Sequence, residues 1–272
     1  MKDKKSITPK ILIGISIIFV VIMLVIPVIA VITYALKDGL SGYINAISNH
    51  YTIKALKLTI LATVIAVVVN TIFGLFASWA ITRFKFKGKQ LLTTLIDIPF
   101  AISPVIAGLI FILTFGRIGW AYDFFQKYGI KIVFSVPGVI IATIFVTLPF
   151  ISREILPVLN SIGTDEEEAA ALMGASGFKI FRQITLPHIK WALLYGIVLC
   201  TARSMGEFGA VSVVSGHLRG KTNTLPLHVE ILYNDFKLTD AFAVSSILLI
   251  IAVVILIIRN ILEYKSEKAG EV

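Results

Sequence analysis

Arg203 and Glu207 stand four residues apart inside an otherwise apolar stretch, so on a helix they fall on one face. Arg203 lies twelve residues beyond Trp191, which at ~1.5 Å per residue is roughly 18 Å along a helix starting there. If that helix crosses a bilayer, the charge sits near its middle. There it costs about 2.5–3.5 kcal/mol or more unless it faces a packed interior or a wet cavity. Two kinds of chemistry meet that condition. The guanidinium fork offers several N–H donors to one tetrahedral oxyanion, or Glu207 neutralises Arg203 and the pair is a brace. Both readings stand at this level, and Gly206 and Gly209 beside them allow the close backbone approach that either needs.

A second polar group lies in D-I-P-F-A-I-S-P-V-I-A-G-L, residues 97–109, which carries Asp97 and Ser103 between prolines 99 and 104. Proline removes a backbone donor and kinks a helix, so a span here should be bent or broken, with neighbours satisfying the freed carbonyls. Asp97 either reaches water at the end of that span or takes part in a path across it.

Other candidate chemistry is weak. Residues 216–222 read G-H-L-R-G-K-T, but a phosphate-wrapping loop needs four residues between its glycines and here there are three. His50, His188, His217 and His228 are scattered, without metal-ligand spacing or a nucleophile–histidine–acid arrangement. No metal site and no catalytic residue is expected. Cys200 is the single cysteine; it has no internal disulfide partner and is expected to be a small core residue.

These residues must be held by apolar helices. The chain has 272 residues, 57% of them hydrophobic, with a mean hydropathy of +0.91, which excludes an ordinary soluble domain. A spanning helix needs about 20 mostly apolar residues. Six segments qualify: 11–36, 58–82, 91–115, 136–157, 191–215 and 241–262. The expectation is one all-α integral membrane domain over residues 1–272. The first segment is too long for a signal-peptide core and is expected to be a retained anchor.

Between the fourth and fifth spans lies a hydrophilic module, 164–187. Thr164 followed by Glu167 has the spacing of a capping box, and Asp165 to Glu168 suit the positive end of a helix dipole. A helix over 165–173 should stop at Gly174, where glycine accepts the left-handed conformation. A second helix over 176–184 should present Phe178, Phe181 and Ile184 on one side, after which Pro187 should turn the chain back to the membrane.

The net charge of +9 does not mark a nucleic-acid binder, because it is distributed by segment. The termini and the loops at 83–89 and 153–190 hold 15 Lys and Arg, the three alternate loops hold nine, and Arg203 is intramembrane. Under the positive-inside rule this places both termini, and the module with them, in the cytoplasm.

The module's spacing is E-A-A, three residues, G, nine residues, then I-x-L-P. It falls on Glu168, Ala169, Ala170, Gly174, Ile184, Leu186 and Pro187 and resembles, without departure, the signature of membrane subunits of ATP-binding-cassette importers. R-S-M-G-E-F-G-A-V-S-V-V-S-G at 203–216 and A-I-S-P-V-I-A-G-L at 101–109 resemble the sulfate and molybdate branch. T-L-P-L-H-V-E-I-L-Y at 224–233 is similar to the W-type subunits of sulfate/thiosulfate importers. The resemblance covers about residues 50–262. It implies a six-helix type I importer permease bundle in the cell (inner) membrane, with 164–187 as its coupling module. It further implies a companion T-type permease, a two-copy ATPase that binds ATP and Mg, and an extracytoplasmic sulfate/thiosulfate-binding protein. In such an assembly this chain needs no cofactor, and Arg203, Glu207, Asp97 and Ser103 are the candidates for its path or gate. Within the class, molybdate or tungstate is the alternative cargo. Outside it, a stand-alone secondary transporter would be expected to carry internal repeats, and no convincing repeat is visible.

Overall fold

Inside a bilayer the backbone can satisfy its polar groups only within the chain. Every regular element that the computed structural model describes, over residues 7–268, is a helix. Helices α1 (Ile7–Val20) and α2 (Ile26–Ala35) join through a π-helical turn at Val21–Val25, making one apolar rod over Lys10–Ala35. Ile11, Phe19 and Met23 on it are all more than half exposed, so much of its surface is left for lipid or another chain.

After α3 (Gly39–Ser48) comes α4 (His50–Arg83), the longest helix at 34 residues, whose start is capped by Asn49 accepting from the Tyr51 N–H at 2.9 Å. Its buried face is made of small and polar residues, among them Ala55, Thr59, Ala62, Ala66, Gly74 and Ser78. Without a hydrophobic effect to drive helices together in lipid, such faces allow backbones to approach closely and hydrogen-bond. A Cβ on Gly74 would lie 3.0 Å from Ile151.

The segment expected as the third span is α5 (Lys89–Ala101) and α6 (Pro104–Phe115), bent 111° at residues 102–103. The break expected from the two prolines is therefore present. A short α7 (Tyr122–Lys127) leads to α8 (Val136–Thr147) and α9 (Pro149–Ile162), which together form the fourth span. At their junction the Leu148 N–H bonds Phe145 O at 3.2 Å, and Asn70 Nδ2 donates to the Ile144 carbonyl at 3.1 Å and to Thr147 Oγ1 at 2.8 Å. A buried asparagine on α4 thus repairs the backbone where Pro149 interrupts it.

Then follow α10 (Asp165–Leu172), α11 (Gly177–Ile180), a π-helical turn at Phe181–Thr185, α12 (Leu186–Met205), α13 (Gly209–Ser215), α14 (Leu225–Asn234) and α15 (Leu238–Lys268). Helices α4, α8, α9 and α12 pack on one another; α13 lies against α6 and α8, and α15 against α2, α12 and α14. Five helical segments are long and apolar enough to cross a membrane, six with the bent α5–α6 pair counted as one span.

Two expectations are corrected. The 191–215 segment is not one helix: α12 ends at Met205, and α13 starts at Gly209 after a short break. Pro187 does not turn the chain. It follows the π-helical turn at Phe181–Thr185, in which the Leu186 N–H bonds Phe181 O, and Gly177–Met205 runs as one 29-residue helical rod through that turn.

Candidate functional site

Helix α10 begins with four acidic residues and ends at Leu172. Gly174 has φ +84°, its N–H bonds Ala171 O at 2.9 Å, and the Ala175 N–H reaches Ala170 O at 3.0 Å. This is a Schellman ending, and it explains the spacing from Ala170 to Gly174. The helix must close on a left-handed residue four positions beyond the small buried Ala170. Glu168 and Ala169 are exposed, Ile184 and Leu186 half-buried, and Pro187 exposed. Leu172, Met173 and Phe178 project with 90%, 82% and 75% exposure, a set of apolar knobs on an otherwise polar end. Phe181 instead turns inward against Trp79, ring centroids 5.3 Å apart. The expected one-sided row of Phe178, Phe181 and Ile184 is thus divided between the outer surface and the bundle.

The capping box does not form. Thr164 makes no side-chain cap and donates its hydroxyl to Glu168 Oε1 at 2.7 Å. Glu167 is drawn elsewhere: its Oε2 lies 2.7 Å from Arg83 Nε, and its Oε1 accepts the Thr185 hydroxyl at 2.6 Å. Arg83 Nη1 also donates to Leu159 O at 3.0 Å. From sequence alone Arg83 is only part of a basic turn. The usable signal is its position at the end of the longest apolar run, facing an acidic cluster.

Arg203 Nη1 and Glu207 Oε2 are 2.6 Å apart, with side chains 31% and 1% exposed. The pair meets as expected, yet Glu207 is off the helix, in the break after Met205. Its other oxygen accepts the Ala210 N–H at 2.8 Å, supplying a partner to the first turn of α13. The two breaks of the bundle adjoin. A Cβ on Gly209 would lie 2.8 Å from Pro104 Cβ, and one on Gly108 2.7 Å from Ala210 O. Ser103 is exposed and precedes α6 without a side-chain cap.

Asp97 does not join Arg203 and Glu207. It binds Arg153 instead, Oδ1 to Nε 2.9 Å, and Arg153 stacks its guanidinium on Phe100, 4.8 Å to the centroid. Both side chains of this pair are more than a third exposed, so the α5–α9 surface that carries them has polar character.

At the opposite end of α4, His217 Nε2 lies 3.1 Å from Glu230, and Arg219 bonds Asp235 at 2.5 Å. The contacts of His217 and Arg219, with Thr222 Oγ1 accepting from the Leu218 N–H at 3.2 Å and donating to Ser215 O at 2.7 Å, hold the glycine-containing stretch 216–222. His228 is buried, its Nε2 3.2 Å from Thr52 Oγ1. Cys200 is buried. Among the described residues no group of three or more His, Cys, Asp or Glu is placed to hold a metal ion.

This architecture of bent spans around a polar helical module has a counterpart in known proteins. The family model described as binding-protein-dependent transport system inner membrane component matches residues 70–268. The chain belongs to this family. It is a multi-pass membrane permease component with the type I importer fold. The sulfate transport system permease protein CysW of Synechococcus elongatus is 47% identical over 272 residues, 100% of this chain and 95% of that one. CysW of Escherichia coli K12 is 44% identical, covering 94% of this chain and 88% of its own. The sulfate transport system permease protein CysT of Salmonella typhimurium is 33% identical, covering 92% and 90%. Among solved structures, a chain of the bacterial alginate ABC transporter in complex with an alginate pentasaccharide-bound periplasmic protein superposes with a TM-score of 0.79. It is 19% identical and covers 99% of this chain and 98% of that one. That likeness concerns the fold.

Proposed function

We propose that this chain is one permease half of an ATP-driven sulfate/thiosulfate importer of the cell membrane. The observation that carries the reading is the identity of 47% and 44%, spread along nearly the whole chain, to permeases named for sulfate. Those names favour sulfate over molybdate as cargo, and the presence of CysT relatives supports a companion permease of that type. The partners are that companion, two copies of an ATPase that bind ATP and Mg, and an extracytoplasmic binding protein.

In this reading the segment 164–187 is the coupling module, with both chain termini on the same, cytoplasmic side. Glu168, Ala169, Ala170, Gly174, Ile184, Leu186 and Pro187 shape it, and the exposed Leu172, Met173 and Phe178 are its anchors for the ATPase. Closing of the ATPase pair tilts the module and moves the spans between outward and inward openings, which requires that the ATPase grip the two states differently. Arg203, Glu207, Asp97 and Ser103 line or gate the path. Two observations support this role: the Arg203 side chain stays 31% exposed on a helix long and apolar enough to span, and the Asp97–Arg153 charges, costly against lipid, form an open pair on α5 and α9.

The test is ATP-dependent uptake of radiolabelled sulfate by the chain reconstituted with ATPase, companion and binding protein. Sulfate uptake competed by thiosulfate and little by molybdate is expected. Uptake of molybdate alone would overturn the cargo, and uptake independent of ATP would overturn the class.

A further inference from the structure

We propose that Arg83 and Glu167 form the joint through which displacement of the coupling module reaches α4 and α9. They are positioning residues, and the inference rests on the proposal above that residues 164–187 dock an ATPase.

Each group at this joint would otherwise lack a partner. Leu159 is four residues before Gly163, which ends α9 with φ +75°, so its carbonyl is among the last four that a helix leaves without an internal partner. Arg83 supplies the donor from the last turn of α4. A cation suits the negative end of the α9 dipole. Having donated to α9 through Nη1, Arg83 meets Glu167 of α10 through Nε. Glu167 spends its second oxygen on Thr185, in the turn just before α12. One charge pair thus ties together the ends of α4 and α9, the first turn of α10, and the start of the fifth span.

Burial separates this pair from the polar pair beside it. The side chains of Arg83 and Glu167 are 8% and 15% exposed, whereas the neighbouring His188–Glu166 pair is 39% and 63% exposed. Exposed pairs are screened and hold little; this buried pair is in addition anchored at both ends, by the bonds to Leu159 O and from the Thr185 hydroxyl. The cavity at the joint, lined by Arg83, Leu159, Glu167, Thr185 and His188, is about 10 Å³, scarcely enough for one water. Of the four acids that open α10, Glu167 alone turns from the surface. A module meant only to be gripped has no need to bury one of its carboxylates against the longest span. A module meant to move that span does.

The experiment uses the whole reconstituted complex and measures sulfate uptake and ATP hydrolysis in the same vesicles. The variants are Arg83→Gln, Glu167→Gln and the charge swap Arg83→Glu with Glu167→Arg. The expected result is a complex of unchanged composition whose hydrolysis stays within about two-fold while uptake per ATP falls about ten-fold, the scale of a typical coupling between sites. The swap should recover part of that ratio, because it restores the pair but not the bond to Leu159 O. If the Gln variants do not assemble, Arg83→Lys carries the test. It keeps the charge without the second arm and should give an intermediate ratio. An unchanged ratio in any assembled single variant overturns the proposal, as does a swap that recovers nothing while assembling normally. A parent complex without ATP-driven uptake would instead sink the docking proposal on which the joint rests.

Discussion

Glu207 holds Arg203 from outside the helix that carries Arg203. The contact of 2.6 Å has the spacing of a helical pair, but Glu207 sits in the break and its other oxygen accepts from the Ala210 backbone. One buried carboxylate therefore neutralises a charge on α12 and completes the start of α13. Glu207→Gln should keep the second bond and lose the ion pair; Glu207→Ala should lose both. Thermal unfolding of the purified complex should rank Ala below Gln by about 1 kcal/mol, the ordinary value of a lost helix-start bond. Arg203→Lys, with the charge kept and the fork gone, should assemble and hydrolyse ATP but take up little sulfate if Arg203 handles the anion. Loss of the assembled complex would mark the pair as a brace.

Gly174 is confined by its backbone rather than by its neighbours. At φ +84°, with no atom within 4 Å of where a methyl group would stand, a side chain has room but the wrong dihedral. Gly174→Ala should cost about 1–2 kcal/mol of local stability, and Gly174→Val more. Both should loosen α10 and lower ATP-driven uptake, as read by hydrogen exchange over 165–175 and by transport assays.

Gly108 is confined by its neighbours. A Cβ there would meet Ala210 O at 2.7 Å and Val213 Cβ at 2.9 Å, so α6 and α13 must part to admit it. Gly108→Ala should destabilise the complex by about 1–3 kcal/mol, the usual range for overpacking. Unchanged thermal stability would show that the two half-helices are not so closely apposed.

His228 lies outside the spanning segments, and burial pushes its pKa below the ordinary histidine value. Arg219 acts in the same direction, against the opposing pull of Asp235 and Asp240. The unfolded chain therefore takes up this proton first as pH falls. The contribution to stability is complete above about pH 6.5 and is lost on acidification below it. Melting temperature measured from pH 8 to 5 should fall less steeply for His228→Gln than for the parent.

The sequence was most informative where a local rule sufficed. Pro99 and Pro104 announced the broken third span, and Gly174 announced the end of α10. It misled where tertiary partners outbid local ones. Thr164 and Glu167 had capping-box spacing, but Arg83, eighty-four residues from Glu167, offers a full charge and draws the carboxylate away. Pro187 suggested a corner, yet the π turn just before it keeps the rod continuous. The interruption at Gly206–Phe208 had glycines as its only local sign, and glycines in membrane helices serve close packing as often as breaks.

The unbroken run from Gly177 to Met205 makes chain length as important as residue identity. Each residue added to an α-helix rotates the remainder of that helix by about 100° and advances it by ~1.5 Å. With no loop between Phe178 and the fifth span, a single inserted or deleted residue in 179–190 would swing Phe178 to another side of the molecule relative to Arg203. The stretches 116–121 and 216–224, which lie between helices, impose no such clockwork. Evolutionary drift in length should accumulate there and stop at the rod.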